Sequence, residues 1–194
     1  MNLNSPMMRY FILPMIIALL CLPQFAHACS CVEIDKALVK SFIKNYDYVF
    51  VGSAVEVLHF DDDIRRLISE RDKGYSEVLF KVDSMIKGDY KLKQIVINQF
   101  DQGSCSEWFK IGDQFVIVGN RIENVIWNGG KKEDFLSLEE VPPAPSGYNN
   151  SIQIRENRKA YRYWKRLARR NTIVTTAMCS TFKMGTEYAD LFLR

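Results

Sequence analysis

The 194-residue sequence predicts a mainly β domain with flanking helices, arranged as a small barrel or sandwich. Short runs rich in Val, Ile, Phe and Tyr recur between turns that contain glycine, which is typical of antiparallel strands. Two other stretches, one before the first run and one near residue 160, have the apolar spacing of helices. The 26 Lys and Arg residues nearly balance the 23 Asp and Glu residues, so the net charge indicates no particular partner.

Residues 1–28 have the layout of a secretory signal. Arg9 is their one basic residue and no acidic residue occurs among them; an apolar core follows at 10–22, and a small-x-small triplet at 26–28 precedes Cys29. The apolar run is shorter than the roughly 18 residues that a retained membrane anchor needs. We therefore expect cleavage before Cys29, export to the periplasm or the extracellular space, and one mature domain over residues 29–194.

A second processing route would acylate Cys29 and hold the protein at a membrane as a lipoprotein. That route usually requires Leu and a small residue at the third and second positions before the cysteine. The chain has Ala26 and His27 there. The sequence therefore favours simple cleavage, with lipid anchoring as the alternative.

Four cysteines remain after cleavage, namely Cys29, Cys31, Cys105 and Cys179. An even number in an exported protein predicts two disulfides. A bond between Cys29 and Cys31 would close a strained ring, so two pairings remain, and each ties the N-terminus to two distant points. A structural zinc site is not expected, because Cys105 and Cys179 stand alone, 74 and 148 residues after Cys31.

The segment after Cys31 predicts a helix over Ile34–Asn45, since apolar residues recur there near a helical period. Gly52 marks a bend or bulge in the first long strand. The charged residues 61–74 predict a loop, with room for one helical turn at Ile64–Ile68. The predicted strands are Tyr46–Phe60, Tyr75–Ile86, Gln94–Phe100, Gln114–Val118, Asn124–Trp127 and Ile173–Met178.

Alternation within the strand Tyr75–Ile86 indicates one apolar face. Val78 and Phe80 share that face, whereas Glu77 and Lys81 occupy other positions.

Residues 129–171 interrupt this pattern as an insertion. A Pro-rich, linker-like stretch at 141–147 leads into a predicted helix at 151–170, whose apolar stripe includes Tyr161 and Trp164 and whose other surface is basic. We expect this helix to pack on the barrel through the stripe; contact with an anionic envelope surface is the alternative. Nucleic acid is not an expected partner of an exported protein.

The scarcity of histidine argues against an enzyme. His59 is the one histidine left after cleavage, and Ser-His-Asp or Cys-His catalysis needs a histidine base. We expect His59 on a solvated strand edge. The acidic runs 61–63 and 139–140 lie in loop-like stretches without a partner motif, and no Gly-rich phosphate loop or metalloprotease signature is present. The sequence therefore predicts neither catalysis nor a cofactor.

The ordered set of motifs resembles the N-terminal domain of the tissue inhibitors of metalloproteinases, a netrin-like module of the OB-barrel class. The resemblance covers residues 29 to about 120 and 172–182, and leaves 129–171 without a counterpart. The motifs are Cys29-Ser30-Cys31 with its following helix, the strand Tyr75–Ile86 ending in Lys87-Gly88, the isolated Cys105, the run Phe115–Gly119 and the run Ile173–Phe182.

This resemblance implies an OB-fold-like barrel of five strands with disulfides Cys29–Cys105 and Cys31–Cys179. It also implies inhibition of a zinc metalloprotease. The α-amine and carbonyl oxygen of Cys29 would chelate the catalytic zinc of the protease, and Ser30 would enter a substrate side-chain pocket. Val32 and Glu33 would lie along the cleft, although the family has proline near the position of Glu33. The alternative is a non-inhibitory binding module of the cell envelope, acylated at Cys29 if it is a lipoprotein.

Overall fold

The structure is a computed structural model, and it describes residues 31, 33–70, 74–99, 105–127, 151–154 and 157–193. The described part contains eight strands, four α-helices and a short 3₁₀ turn. In chain order they are α1 (Lys36–Asn45), β1 (Tyr48–Val57), α2 (Asp62–Glu70), β2 (Val78–Lys87), β3 (Gln94–Asn98), β4 (Gln114–Arg121), β5 (Asn124–Trp127), β6 (Ser151–Ile154), α3 (Arg158–Ala168), β7 (Ile173–Thr175), the 3₁₀ turn Met178–Ser180, β8 (Thr181–Lys183) and α4 (Glu187–Leu193).

Five strands close into a barrel in the order β1-β2-β3-β7-β4, and β4 pairs back onto β1. The β3–β7 pair is parallel, and the other four pairings of the barrel are antiparallel. Strand β8 adds to the outside of β4. This arrangement confirms the predicted mainly β, OB-like barrel with flanking helices.

Strands β1 and β4 are buried on both faces, which explains their nearly continuous apolar sequences. Inside the barrel, four phenylalanine rings pack edge to face, with centroids 5.1 to 6.3 Å apart. They are Phe50, Phe80, Phe109 and Phe115. Outside it, Val49 and Val116 pack with Phe182 and Phe192 under α1 and α4.

Gly52 lies at a register shift between β1 and β2, in agreement with the predicted bend. A Cβ atom at this position would lie 2.8 Å from the carbonyl oxygen of Lys81. Glycine is therefore required for the close approach of these two strands.

Strand β5 and the described part of the insertion form a third layer. Strands β5 and β6 pair in parallel as a separate two-stranded sheet, and α3 packs on them and on the barrel. Asn124–Trp127 is thus a strand, as predicted, but β7 rather than β5 completes the barrel.

Three sequence predictions need correction. Residues 61–74 were predicted to be a loop with room for one helical turn at Ile64–Ile68, but the helix is longer and forms α2 at 62–70. Asp61 caps it by accepting hydrogen bonds from Asp63 N and Ile64 N. The predicted helix 151–170 begins only at Arg158, since Ser151–Ile154 is extended and pairs with β5. The last predicted strand ends at Thr175, where the chain turns before β8.

Candidate functional site

The predicted site residues lie at the start of the described chain. Cys31 and Glu33 are described and both are exposed. Cys29, Ser30 and Val32 lie outside the described residues, so their predicted roles stay predictions. Cys31 and Glu33, with the residues around them, form the described part of the site.

A disulfide joins Cys31 to Cys179, with the two Cα atoms 5.2 Å apart. This is the pairing that the family resemblance implies. Cys179 lies in the 3₁₀ turn directly before β8, the strand on the outside of β4. The bond therefore attaches the N-terminal segment to the edge of the barrel.

The turn that carries Cys179 is itself held in place by hydrogen bonds. The fully buried Thr176 donates its hydroxyl to the carbonyl oxygen of Val118 in β4 at 2.8 Å. The hydroxyls of Thr176 and Ser180 lie 2.9 Å apart, and the Ser180 oxygen also accepts from Ala177 N at 3.0 Å. Cys179 is consequently a fixed anchor for Cys31.

The other end of the segment is fixed by helix α1. The Asp35 carboxylate accepts hydrogen bonds from Ala37 N and Leu38 N, both at 2.8 Å, and so caps α1. Ile34 is 6% exposed and packs in the cluster under α1 and α4. Glu33 thus lies between two fixed points, with its side chain in solvent.

A groove of about 380 Å³ opens beside the disulfide. Its walls come from the N-terminal segment, from the turn with β8, and from α4. Tyr188 of α4 is 44% exposed at this surface. The lining residues are Cys31, Glu33, Ile34, Met178, Cys179, Thr181, Phe182 and Tyr188. The sequence did not predict the contributions of Phe182 and Tyr188, because local patterns do not show which distant residues they meet.

Cys105 is also disulfide-bonded. Since the other two cysteines of the described residues pair with each other, its partner lies outside the described part, and the Cys29–Cys105 bond stays a prediction. The buried Gln99 fixes the chain beyond Cys105: its Oε1 accepts from Glu107 N at 2.7 Å, and its Nε2 donates to the carbonyl oxygens of Glu107 and Ser76. No sequence signal indicated this role of Gln99.

His59 and the acidic run have structural partners. His59 Nδ1 accepts from Asp61 N at 3.0 Å, and its ring stacks on Phe60 with centroids 4.4 Å apart. His59 lies after β1 as expected, but it is half-buried rather than solvated. Arg65 and Arg66 form ion pairs with Asp62 and Asp63 along α2. The run 139–140 lies outside the described residues.

Glu77 is the most buried carboxylate that the structure describes, with 5% of its surface exposed. It accepts a hydrogen bond from the Ser76 hydroxyl at 2.8 Å and another from the Tyr75 side chain. Burial raises the pKa of Glu77 above its ordinary value despite these hydrogen bonds. Alternation did not identify Glu77 as buried, because it precedes β2, where its carbonyl oxygen accepts from Leu58 N at 2.8 Å.

The substitution Glu77→Gln is expected to change how stability depends on pH. A carboxyl with a raised folded-state pKa stabilises the fold most when it is protonated, and this contribution is lost as the pH rises through that pKa. The wild type should therefore lose stability relative to E77Q as the pH rises above the ordinary carboxyl pKa of about 4.3. Urea unfolding below and above this pH measures the difference. Glu123→Gln, at an exposed position, is the control; equal pH profiles for the wild type and E77Q would contradict the assignment.

Comparison with known proteins adds no assignment, since no protein-family model matches the chain and no curated protein matches it. In the described part of the chain, no helix is long and apolar enough to cross a membrane. Among the same residues, no group of three or more His, Cys, Asp or Glu side chains is placed to hold a metal ion. A proposal for the function must therefore start from the anchored N-terminal segment and its groove.

Proposed function

We propose that this protein is exported and inhibits a zinc metalloprotease, which it binds through the N-terminal segment 29–33. The observation that carries the proposal is the Cys31–Cys179 disulfide, which attaches this segment to a hydrogen-bonded turn of the barrel. A segment that is tied to the barrel at Cys31 has less conformational entropy to lose when it enters a cleft. The family resemblance at Cys29-Ser30-Cys31 supports the same function.

The proposed chemistry is chelation of the zinc of the protease by the first residue. After cleavage, the α-amine and carbonyl oxygen of Cys29 would form a five-membered ring with the metal and displace the water that it activates. Only the neutral amine can donate its electron pair. An ordinary α-amine titrates near about 7.7 to 8.0, so the zinc would favour loss of the proton. Ser30 would occupy the adjoining substrate pocket, and Val32 and Glu33 would follow the cleft.

The groove beside the disulfide supplies apolar surface next to this segment. Ile34, Met178, Phe182 and Tyr188 line it, and the carboxylate of Glu33 adds a charge. Stable protein interfaces combine an apolar centre with a polar rim. An apolar side chain on the rim of the protease cleft would fit the groove while Cys29 binds the metal.

Adding one alanine before Cys29 is expected to weaken inhibition by at least about 100-fold, or about 2.7 kcal/mol. The extra residue takes the α-amine away from Cys29 and so breaks the chelate ring. The measurement is the inhibition constant against a panel of zinc metalloproteases. One alanine added after Arg194 makes the same addition at the other end of the chain, and it should leave the constant unchanged.

The same preparation must be checked by intact mass and N-terminal sequencing. The proposal requires Cys29 as the first residue with a free amine. Equal potency with and without the added alanine would exclude chelation. An acylated Cys29 would also exclude it, because an amide nitrogen does not ligate zinc in this way, and would favour the envelope-binding alternative.

A further inference from the structure

Helix α3 and the turn after it carry seven cationic side chains, and all of them are exposed. No acidic residue occurs between 158 and 170. No ion pair of the described residues involves any of the seven. They are Arg158, Lys159, Arg162, Lys165, Arg166, Arg169 and Arg170.

The packing of α3 fixes this basic surface outward. Ala160 and Trp164 are 5% and 1% exposed, and they pack against Val96 and Ile173 of the barrel. With 3.6 residues per turn, the seven cationic positions occupy the side of the helix opposite Ala160 and Trp164. Helix α3 therefore packs on the barrel through its apolar stripe, as expected, and at the same time exposes a basic face to solvent.

Helix stability accounts for only some of these cations, because the negative end of the helix dipole favours Lys165 and Arg166 in the last turn. Arg158 and Lys159 lie in the first turn, where the positive end of the helix dipole disfavours positive charge. Arg162 lies four residues from both Arg158 and Arg166, and no acidic residue within 158–170 offsets the repulsion among these three exposed side chains. The stability of the helix therefore does not explain the cations of its first half, Arg158, Lys159 and Arg162.

Aromatic groups border the basic face. The rings of Trp127 in β5 and Tyr161 in α3 lie with centroids 5.6 Å apart, and both residues are half-buried. Lys165 Nζ donates to the Tyr161 hydroxyl at 2.9 Å and lies 5.2 Å from the centre of its ring. Ile126, next to Trp127, is 41% exposed. Trp and Tyr beside basic residues are typical of surfaces that lie at the level of lipid headgroups.

We propose that α3 docks on a bilayer surface rich in anionic phospholipid, with its axis parallel to the membrane. The cations contact lipid phosphates, and the Trp127–Tyr161 edge lies among the headgroups. The aromatic edge favours a bilayer over a soluble polyanion, which offers no interface for amphipathic rings. This surface is distinct from the groove and its disulfide, and the proposal does not depend on protease binding.

The test is co-sedimentation of the purified mature protein, residues 29–194, with vesicles of phosphatidylcholine, with and without about one third phosphatidylglycerol. Without residues 1–28, the apolar run at 10–22 cannot contribute to binding. We expect binding that requires the anionic lipid and weakens with salt. The triple variant Arg158→Glu, Arg162→Glu, Arg166→Glu should lose on the order of 100-fold in partitioning to the anionic vesicles.

The matched control reverses three exposed lysines of α1, Lys36→Glu, Lys40→Glu and Lys44→Glu, and so changes the net charge equally on another element. It should lose much less affinity than the α3 variant. Arg162→Gln with Arg166→Gln gives a milder change if the triple variant does not fold. Equal binding by the α3 variant and the wild type would overturn the proposal. So would equal binding to both vesicle types, or binding to heparin without binding to vesicles.

Discussion

Replacing Cys31 and Cys179 together with serine is expected to lower the free energy of unfolding by about 3 to 5 kcal/mol. The disulfide joins residues that are 148 positions apart. Opening so long a loop restores much of the conformational entropy of the unfolded chain, which the cross-link removes in the wild type. Urea unfolding monitored by circular dichroism measures the change, with the dependence on denaturant checked for equal slopes.

The barrel of this double variant should still form. Thr176 keeps its hydrogen bond to Val118 of β4, the turn at 177–180 keeps its internal hydrogen bond, and Asp35 still caps α1. The freedom gained is concentrated in the segment before Asp35. Inhibition of a metalloprotease should therefore fall more than the loss of stability explains, because the segment must be ordered again in every complex.

Hydrogen exchange separates the local effect from the global one. Amides at 177–184 should exchange faster in the double variant, while those of β1 and β4 stay protected under native conditions. A reductant should bring the wild type down to the stability of the variant or below it, since Cys105 is also disulfide-bonded. An unchanged urea midpoint would show that the Cys31–Cys179 bond does not constrain the unfolded chain.

The strands of the barrel were predictable because runs of apolar residues in the local sequence indicate that they are buried. Tyr48–Val51 is buried throughout, and four consecutive apolar residues mark such a strand without any knowledge of its partners. The bend at Gly52 was equally local. What composition does not show is closure, which depends on the parallel pairing of Val96 with Ile173, two residues far apart in the chain.

The wrong predictions have two causes. In one case a local capping signal was not used, and in the others the residues that determine the structure are distant in the sequence. Asp61 followed by Asp62 and Asp63 is a capping and ion-pairing signal for Arg65 and Arg66, yet it was interpreted as a charged loop. Ser151–Ile154 has strand alternation, but it becomes a strand only because β5 pairs with it. Glu77 is buried although it precedes β2, where its carbonyl oxygen accepts a hydrogen bond from Leu58 N, and no periodicity reveals this long-range contact.

The candidate site was predictable in part. The four cysteines predict disulfides that tie down the N-terminus, and the Cys31–Cys179 bond is present in the structure. The groove was not predictable, because it requires Met178, Phe182 and Tyr188 to meet Ile34 from the opposite end of the chain.

Trp164→Ala is expected to lower the free energy of unfolding by about 3 to 5 kcal/mol. Trp164 is 1% exposed and is among the largest fully buried side chains of the described structure. It joins three parts of the fold, since its cluster includes Val96 of β3, Ile152 of β6 and Ile173 of β7. Truncation leaves a cavity at this junction that the surrounding strands can fill only partly.

The loss should be greatest in the layer formed by β5, β6 and α3. An isolated two-stranded sheet has marginal stability, so β5 and β6 depend on α3 to cover their apolar face. Hydrogen exchange should therefore rise in β5, β6 and α3 before it rises in β1 and β4. Arg162→Ala, at an exposed position of the same helix, is the matched control and should change stability by less than about 0.5 kcal/mol.

The Trp164 variant also tests how the basic face works, because it keeps all seven cations and removes only the side chain that orients them. If charge alone determines binding, W164A should bind anionic vesicles as the wild type does. If binding requires that the packed helix orient the basic face, W164A should bind more weakly although its net charge is unchanged. If W164A proves as stable as R162A, then α3 does not depend on Trp164 for its packing, and the outward orientation of its basic face would lose its structural basis.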